Sequence, residues 1–228
     1  MPSHPGKFQN RTDAGQLLAA RLEFYAKQPN VLVLGLPRGG VPVAYEVATA
    51  LNAPLDVCLV RKLGVPGQEE LAMGAIASGG VRVLNHDVVD ELGISRRTID
   101  AVTAQELREL QRRDRLYRDD RPHPEVRDRI VILVDDGIAT GSTMRAAIAV
   151  IRAQHPAKLI VAVPVAPLKA CHELRAEVDE LVCLMVPNDF YAIGLWYQDF
   201  SQTTDETVRC ILARAAHSMG YSSSHSPS

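Results

Sequence analysis

The stretch VILVDDGIATGSTM, Val131 to Met144, decides how the rest of the chain is read. Its apolar start predicts a buried strand. Two adjacent carboxylates, Asp135 and Asp136, stand at the carboxyl end of that strand, followed by a loop of small and hydroxyl-bearing residues and then a helix. In open α/β sheets ligands bind at such strand ends. From Ala139 to Thr143 the loop sets several backbone N–H groups and the hydroxyls of Thr140, Ser142 and Thr143 at a helix amino terminus, where unpaired donors and the helix dipole favour a phosphate. Gly137 and Gly141 let the backbone turn tightly and approach the anion. Carboxylates repel a phosphate, so Asp135 and Asp136 accept hydrogen bonds from neutral hydroxyls or hold a cation. A sugar with a phosphate at one end and a vicinal diol at the other satisfies both halves. A Walker A loop needs a lysine that is missing here, and GIATGS does not supply the GxGxxG of a dinucleotide fingerprint. The plain alternative, a small-residue turn with the aspartates as a helix cap, does not account for paired acids followed by a phosphate cradle.

Outward from this motif, short apolar runs alternate with helical patterns. The runs are VLVLGL (31–36), PLDVCLV (54–60), RIVILV (129–134), KLIVAVPV (158–165) and ELVCLMV (180–186). Helices are expected over Val41–Leu51, Ser142–Gln154, Pro167–Ala176 and about Thr204–His217. Near-continuous apolar strands separated by helices predict an α/β fold, an open and mostly parallel sheet flanked by helices. Residues 62–121 interrupt the rhythm with a glycine-rich loop, a short strand VRVLN, and a charged helix from Ser95 to about Arg118. This reads as an insertion, a flexible loop plus a helical arm. Between Arg96 and Arg121 eight arginines face six acids, and Ile99, Val102, Leu107 and Leu110 form an apolar stripe. Interleaved acids favour a solvated amphipathic helix over a nucleic-acid face. The stripe leaves room for a contact between copies, so a homo-oligomer is allowed for. Residues 1–217 read as a single domain, and the polar tail 218–228 is expected to be disordered.

The 228 residues are 46% hydrophobic and 23% charged, an ordinary globular composition. A chain of this length buries roughly 70% of the surface its unfolded form exposes, so its core needs neither disulfides nor a structural metal. With 25 basic against 27 acidic residues the formal charge is −2, and no nucleic-acid partner is expected. No uncharged apolar stretch is long enough to cross a bilayer, and MPSHPGKFQNR carries no hydrophobic signal segment. No membrane contact and a cytoplasmic location are therefore expected. Cys58, Cys171, Cys183 and Cys210 lie far apart without a CxxC pair and read as reduced core residues. Seven scattered histidines offer no metal-ligand spacing, so a protein-bound zinc is not expected.

Val131 to Thr143 resembles throughout the thirteen-residue phosphoribosyl-pyrophosphate (PRPP) motif of the type I phosphoribosyltransferases, and further matches extend from about residue 31 to 200. The resemblance implies the fold of that family with a small carboxyl-terminal hood, here about 187–203. It implies that Asp135 and Asp136 bind the ribose 2′ and 3′ hydroxyls, and that Gly137 and the loop Ala139, Thr140, Gly141, Ser142 and Thr143 bind PRPP at its 5′-phosphate. LPRGG (Leu36–Gly40) is similar to the family's pyrophosphate loop. Arg38 offers a bidentate fork to phosphate oxygens, and Gly39 and Gly40 allow unusual backbone angles. By the same match the Pro37–Arg38 peptide is expected to be cis in at least one state. VRKLGVPG (Val60–Gly67) is similar to the segment after the second core strand of adenine and orotate enzymes, making Arg61 and Lys62 pyrophosphate contacts. Arg38, Lys62, Asp135 and Asp136 form the implied catalytic set, magnesium is implied on the pyrophosphate, near Asp135 and Asp136, and residues 63–80 are expected to fold over the site.

Five of the chain's aromatic residues fall within Phe190 to Phe200, a stretch similar to the hood of 6-oxopurine phosphoribosyltransferases. At least one ring of Phe190, Tyr191, Trp196 and Tyr197 is therefore expected to line an acceptor pocket. The match breaks at two positions. Ala139 replaces the acid that handles the base proton in 6-oxopurine enzymes, and Ala72 replaces the glutamate of adenine enzymes, with Glu69 and Glu70 slightly upstream. The implied activity is transfer of a 5-phosphoribosyl group from PRPP to a nitrogen acceptor, a nucleobase or related aromatic. A PRPP-sensing protein without turnover, or hydrolysis or phosphorolysis at the same centre, remains an alternative. Asparagine at either Asp135 or Asp136 is expected to weaken PRPP binding without unfolding the protein, since both carboxylates should face the diol.

Overall fold

A strand covered on both faces is apolar at nearly every position, and three of the five core runs fold that way. The structure, a computed structural model, describes residues 6–118 and 121–218. The expected disordered tail lies, beyond Ser218, outside the described residues. In chain order the elements are α1 (Arg11–Arg21), β1 (Val31–Gly35), α2 (Gly40–Leu51), β2 (Leu55–Val57), β3 (Val60–Val65), β4 (Gln68–Ala77), β5 (Arg82–Leu84), α3 (His86–Glu91), α4 (Arg96–Arg118), β6 (Ile130–Val134), α5 (Ser142–Arg152), β7 (Lys158–Val165), α6 (Leu168–Leu174), β8 (Glu180–Met185) and α7 (Asp205–Ser218). Five strands form one parallel sheet in the order β2-β1-β6-β7-β8. Alternate residues serve opposite faces. Leu32, Leu34, Val131, Leu133, Val161 and Val163 pack with α5 and α6, while Val31, Val33, Ile132, Val134 and Ile160 pack with α1 and α2.

The run PLDVCLV does not make one strand. Leu55–Val57 pairs with β1, and after Cys58 and Leu59 the chain enters a separate antiparallel sheet, β3-β4-β5. The expected flexible loop 63–80 is thus largely a hairpin. Its glycines serve close backbone approach: a Cβ on Gly74 would lie 2.3 Å from Val83 O, and one on Gly64 would lie 2.8 Å from Glu69 O. Gly67, at φ +82, makes the turn between β3 and β4, and Gly79 and Gly80, at φ +88 and +82, make the turn into β5.

The arm helix α4 packs on its own chain. Ile99, Leu110 and Tyr117 are buried with Leu63, Val65 and Met73 of the hairpin and with Val208 and Leu212 of α7, with Val102 and Leu107 against them. The stripe that could have met a second copy is core. At its carboxyl end Arg118, 3% exposed, donates to Asp56 Oδ2 (3.2 Å), Ser78 Oγ (3.1 Å) and Val57 O (2.7 Å) and pairs with Asp114. Two helices, α1 and the short α3, have no counterpart among the expected elements, and α1 is the one that reaches the site. Its buried positions are small, Ala14, Gly15 and Ala19, with Leu18, so the apolar signal is weak; a Cβ on Gly15 would meet Glu46 Cβ at 2.8 Å.

Among the described residues no helix is long and apolar enough to cross a membrane, and no group of three or more ligand side chains could hold a metal. Cys58 and Cys171 are buried and Cys183 half-buried, but Cys210 is exposed on α7, which corrects its assignment to the core. Burial pushes the thiols of Cys58 and Cys183 up to about 12. Iodoacetamide at about pH 8 should therefore modify Cys210 far faster than Cys58 in the folded protein, because the thiolate is the nucleophile. Peptide mapping by mass spectrometry reads the result, and comparable rates at the two positions would contradict the packing.

Candidate active site

Strands β1 and β6 are neighbours, with Gly35 opposite Val134, so the loops that follow them leave the sheet side by side. The sheet order reverses between these strands, which opens a crevice at their carboxyl ends. Leu36 N donates to Val134 O at 2.8 Å. A Cβ on Gly39 would lie 1.9 Å from Asp136 Oδ2, and one on Gly40 would lie 2.7 Å from Val134 O and 2.8 Å from Asp135 Cα. Gly39 has helical angles, φ −63 and ψ −30. Glycine is needed there for room and not, as the sequence suggested, for unusual backbone angles. The Pro37–Arg38 peptide is cis.

The two acids differ. Asp135 is partly exposed, and its Oδ1 accepts from Asp136 N at 2.8 Å. Burial and then the neighbouring Asp136 charge hold its carboxyl well above the usual range. Asp136 is 8% exposed and lies under Arg11, whose Nε and Nη2 each reach Oδ2 at 2.8 Å. Burial raises this carboxyl too, against the opposing pull of Arg11. The expectation that both carboxylates simply face a diol is corrected for Asp136, which is also one half of a nearly buried ion pair.

The loop after the acids is open. Ala139, Thr140, Ser142 and Thr143 are exposed, and Gly141, at φ +78, precedes α5 without a side-chain cap. Ser142 N makes a long bond to Thr140 Oγ1 (3.4 Å), and the rest of the first turn of α5 is left for an incoming acceptor oxygen. Arg145 holds the loop from behind, donating to Thr140 O at 2.7 Å and to Glu173 Oε2 at 3.0 Å. Gly137 is small because the hood is close: a Cβ there would meet Ile193 Cγ2 at 2.6 Å.

The three cations read as pyrophosphate contacts surround the same end of the sheet, each beside a carboxylate. Arg61 Nε donates to Glu106 Oε2 at 2.6 Å, Lys62 Nζ reaches Glu70 O at 3.2 Å and Oε2 at 3.4 Å, and Arg38 Nη1 lies 3.9 Å from Asp205 Oδ1. Arg61 and Lys62 line a cavity of about 680 Å³ with Pro37, Glu106, Ser142 and Thr143. Hairpin and arm therefore wall one side of the crevice. Glu69 and Glu70 are exposed on β4 and line the same cavity, and Glu69 Oε1 accepts from Gly67 N at 3.2 Å.

The aromatic stretch does not act as one group. Tyr197 is 3% exposed, its ring 5.3 Å from Phe8 and 5.0 Å from Phe200, and its hydroxyl donates to Asp136 O at 2.6 Å. It is a core residue, which corrects its place among the acceptor rings. Phe190 and Trp196 are half-buried in the same cluster, and Tyr191 is 83% exposed. None of the four lines the large cavity.

Arg11 is the site residue that sequence reasoning missed. A signal existed: it opens α1 behind the Asn10 cap, where a cation opposes the helix dipole and so needs a partner elsewhere.

Residues 7–198 match the phosphoribosyl transferase domain. Proteins from two Mycobacterium tuberculosis strains, both provisionally named phosphoribosyl transferases, are 50% identical over 208 residues, covering 91% of this chain and 47% of theirs. The chain thus spans about half the length of the curated relatives it matches. The crystal structure of the Thermus thermophilus protein TT1426 superimposes with a TM-score of 0.85 at 43% identity, covering 91% of this chain and 98% of that one.

Proposed function

Since this chain belongs to the phosphoribosyl transferase family, we propose that it transfers the 5-phosphoribosyl group of PRPP to a nitrogen acceptor, a nucleobase or related aromatic, and releases pyrophosphate. The observation that carries this reading is the contact of Gly39 and Gly40 with Asp136 and Asp135. It brings the acid pair, the open loop that follows it and the arginine-bearing loop to one crevice. In this reading Ser142, Thr143 and the loop amides bind the 5′-phosphate, Asp135 and Asp136 accept from the ribose hydroxyls, and Arg38, Arg61 and Lys62 meet the pyrophosphate. The acceptor nitrogen forms its bond to C1′ as the bond from C1′ to the pyrophosphate oxygen breaks. Charge moves onto the leaving group, where cations and amides favour it, so catalysis is positional and electrostatic. The hard oxygens of Asp135 and Asp136 suit magnesium, and with no third ligand side chain beside them among the described residues most of its coordination would come from the substrate. When bound, magnesium would offset charge on the departing pyrophosphate. The acceptor's proton leaves before attack, if the acceptor is acidic, or passes to Glu69 or Glu70. The unit proposed for this activity is residues 1–217, with 62–121 as its cover and about 187–203 as its hood.

A second reading, PRPP sensing without turnover, draws support from the carboxylate beside each of Arg38, Arg61 and Lys62, which pyrophosphate would have to displace. One experiment separates the two. Labelled PRPP and magnesium are incubated with a panel of nucleobases and small aromatic amines, and pyrophosphate is measured. Acceptor-dependent release is expected. Tight PRPP binding with no release under any acceptor supports the sensor, and no PRPP binding overturns both.

A further inference from the structure

We propose that Arg11 is a positioning residue of the ribose site: it fixes the Asp136 carboxylate and offsets its charge, so that a polyanionic sugar phosphate meets one uncompensated carboxylate instead of two. The inference rests on the reading of Asp135 and Asp136 as ribose-binding acids.

All three nitrogens of the Arg11 guanidinium have a partner inside the protein. Nε and Nη2 reach Asp136 Oδ2 at 2.8 Å each, Nη1 donates to Ser201 O at 2.7 Å, and the group lies 4.0 Å over the Phe200 ring. Both side chains of the pair are only 12% exposed. With these contacts and so little exposure, Arg11 acts on a ligand through Asp136. Asp136 in turn sits where a Cβ on Gly39 would collide with it, so its position sets how closely the arginine-bearing loop approaches the acid pair. The contacts of Arg11 with Phe200 and Ser201 tie the same carboxylate to the end of the aromatic stretch and the residue after it. One side chain from α1 thus links three parts of the crevice that are far apart in sequence. The physical need is plain: adjacent carboxylates repel one another and repel a substrate bearing a phosphate and a pyrophosphate, and a cation beneath one of them removes half of that opposition.

The test is a cycle of full-length variants, Arg11→Met, Arg11→Lys, Asp136→Asn and the double variant Arg11→Met with Asp136→Asn. Each is titrated with PRPP and magnesium in a calorimeter, with thermal unfolding measured in parallel. Arg11→Met should weaken PRPP binding about tenfold or more, and Arg11→Lys should recover most of the loss. In the Asp136→Asn background the further change should be under about twofold, because nothing is left to position. A merely structural arginine would not give rescue by lysine together with dependence on Asp136. Should Arg11→Met fail to fold, Arg11→Gln, which keeps hydrogen-bond donors and loses the charge, replaces it in both backgrounds with the same expected and overturning outcomes. Unchanged affinity in Arg11→Met, or the same loss in both backgrounds, overturns the proposal while leaving the ribose-site reading intact. A wild type that binds no PRPP overturns that reading itself, and the two failures are thereby told apart.

Discussion

Asp136→Asn is expected to lose roughly 3 kcal/mol of folding stability together with PRPP affinity, whereas Asp135→Asn should lose affinity but keep its stability or gain a little. In the sequence the two residues are equivalent neighbours; in the structure their surroundings oppose each other. Replacing Asp136 leaves the guanidinium of Arg11, only 12% exposed, facing a neutral amide. Breaking such a pair from one side costs about 3 to 5 kcal/mol, and the amide oxygen, which still accepts one hydrogen bond, sets the lower end. Asp135 has no such partner, and burial beside Asp136 raises its carboxyl well above the ordinary range. The sign follows from linkage. A carboxyl raised in the folded state binds its proton more tightly there than in the unfolded chain. Stability is therefore greatest at low pH and falls as pH rises from the ordinary carboxylate value through the folded one. A neutral isostere has no charge to bury and so escapes that loss. For PRPP, each variant gives up a charge-assisted hydrogen bond to a hydroxyl, about 1.5 to 3 kcal/mol or roughly ten- to a hundredfold in affinity. Urea unfolding and PRPP titration of both variants at pH 7 give the four numbers. Equal stabilities would remove the distinction between the acids, and unchanged PRPP affinity in both would remove the ribose assignment.

What the sequence made legible follows from how many constraints each segment obeys at once. Strands β1, β6 and β7 are covered on both faces, so every residue reports its burial and the apolar runs find them directly. The acid pair and phosphate loop are legible because a strand end, two like charges and a small-residue turn are a costly combination without a ligand. The hairpin was misread because glycine carries two meanings in a sequence. Gly64 and Gly74 sit where strands crowd each other, yet their spacing looks like a mobile loop. The arm's stripe was legible, but its partner was not: Ile99 and Leu110 show that one face is apolar, and only the packing shows that Leu63, Met73 and Val208 cover it. Arg11 and Asp136 are 125 residues apart, and no local pattern joins them. The fold was thus readable from local periodicity, whereas the partners of the site residues depend on which distant elements the topology places beside them.

Tyr197→Ala should be the most damaging change in the aromatic stretch, losing about 3 to 5 kcal/mol of stability and PRPP binding with it, while Tyr191→Ala should fold normally. Tyr197 is 3% exposed, packs between Phe8 and Phe200, and forms an isolated bridge between the two chain segments. Burial raises its hydroxyl, which stays protonated and donates to Asp136 O at 2.6 Å. Removing the ring opens a cavity beneath the acid pair and frees that carbonyl, so the ribose site loosens as the core does. Tyr197→Phe isolates the second effect, because it keeps the ring and removes only the hydrogen bond, worth about 1 kcal/mol. Tyr191, 83% exposed, has a free ring face. If it meets the acceptor, its loss should cost roughly 1 to 3 kcal/mol of acceptor affinity, as for bases stacked on aromatic side chains, with PRPP affinity unchanged. Thermal unfolding of the three variants, with titrations of PRPP alone and of acceptor in the presence of PRPP, separates these roles. A stable Tyr197→Ala protein with normal PRPP binding and weakened acceptor binding would return Tyr197 to the acceptor pocket. The burial of its ring and the hydrogen bond to Asp136 argue for the other outcome, in which Tyr197 supports the ribose site from below.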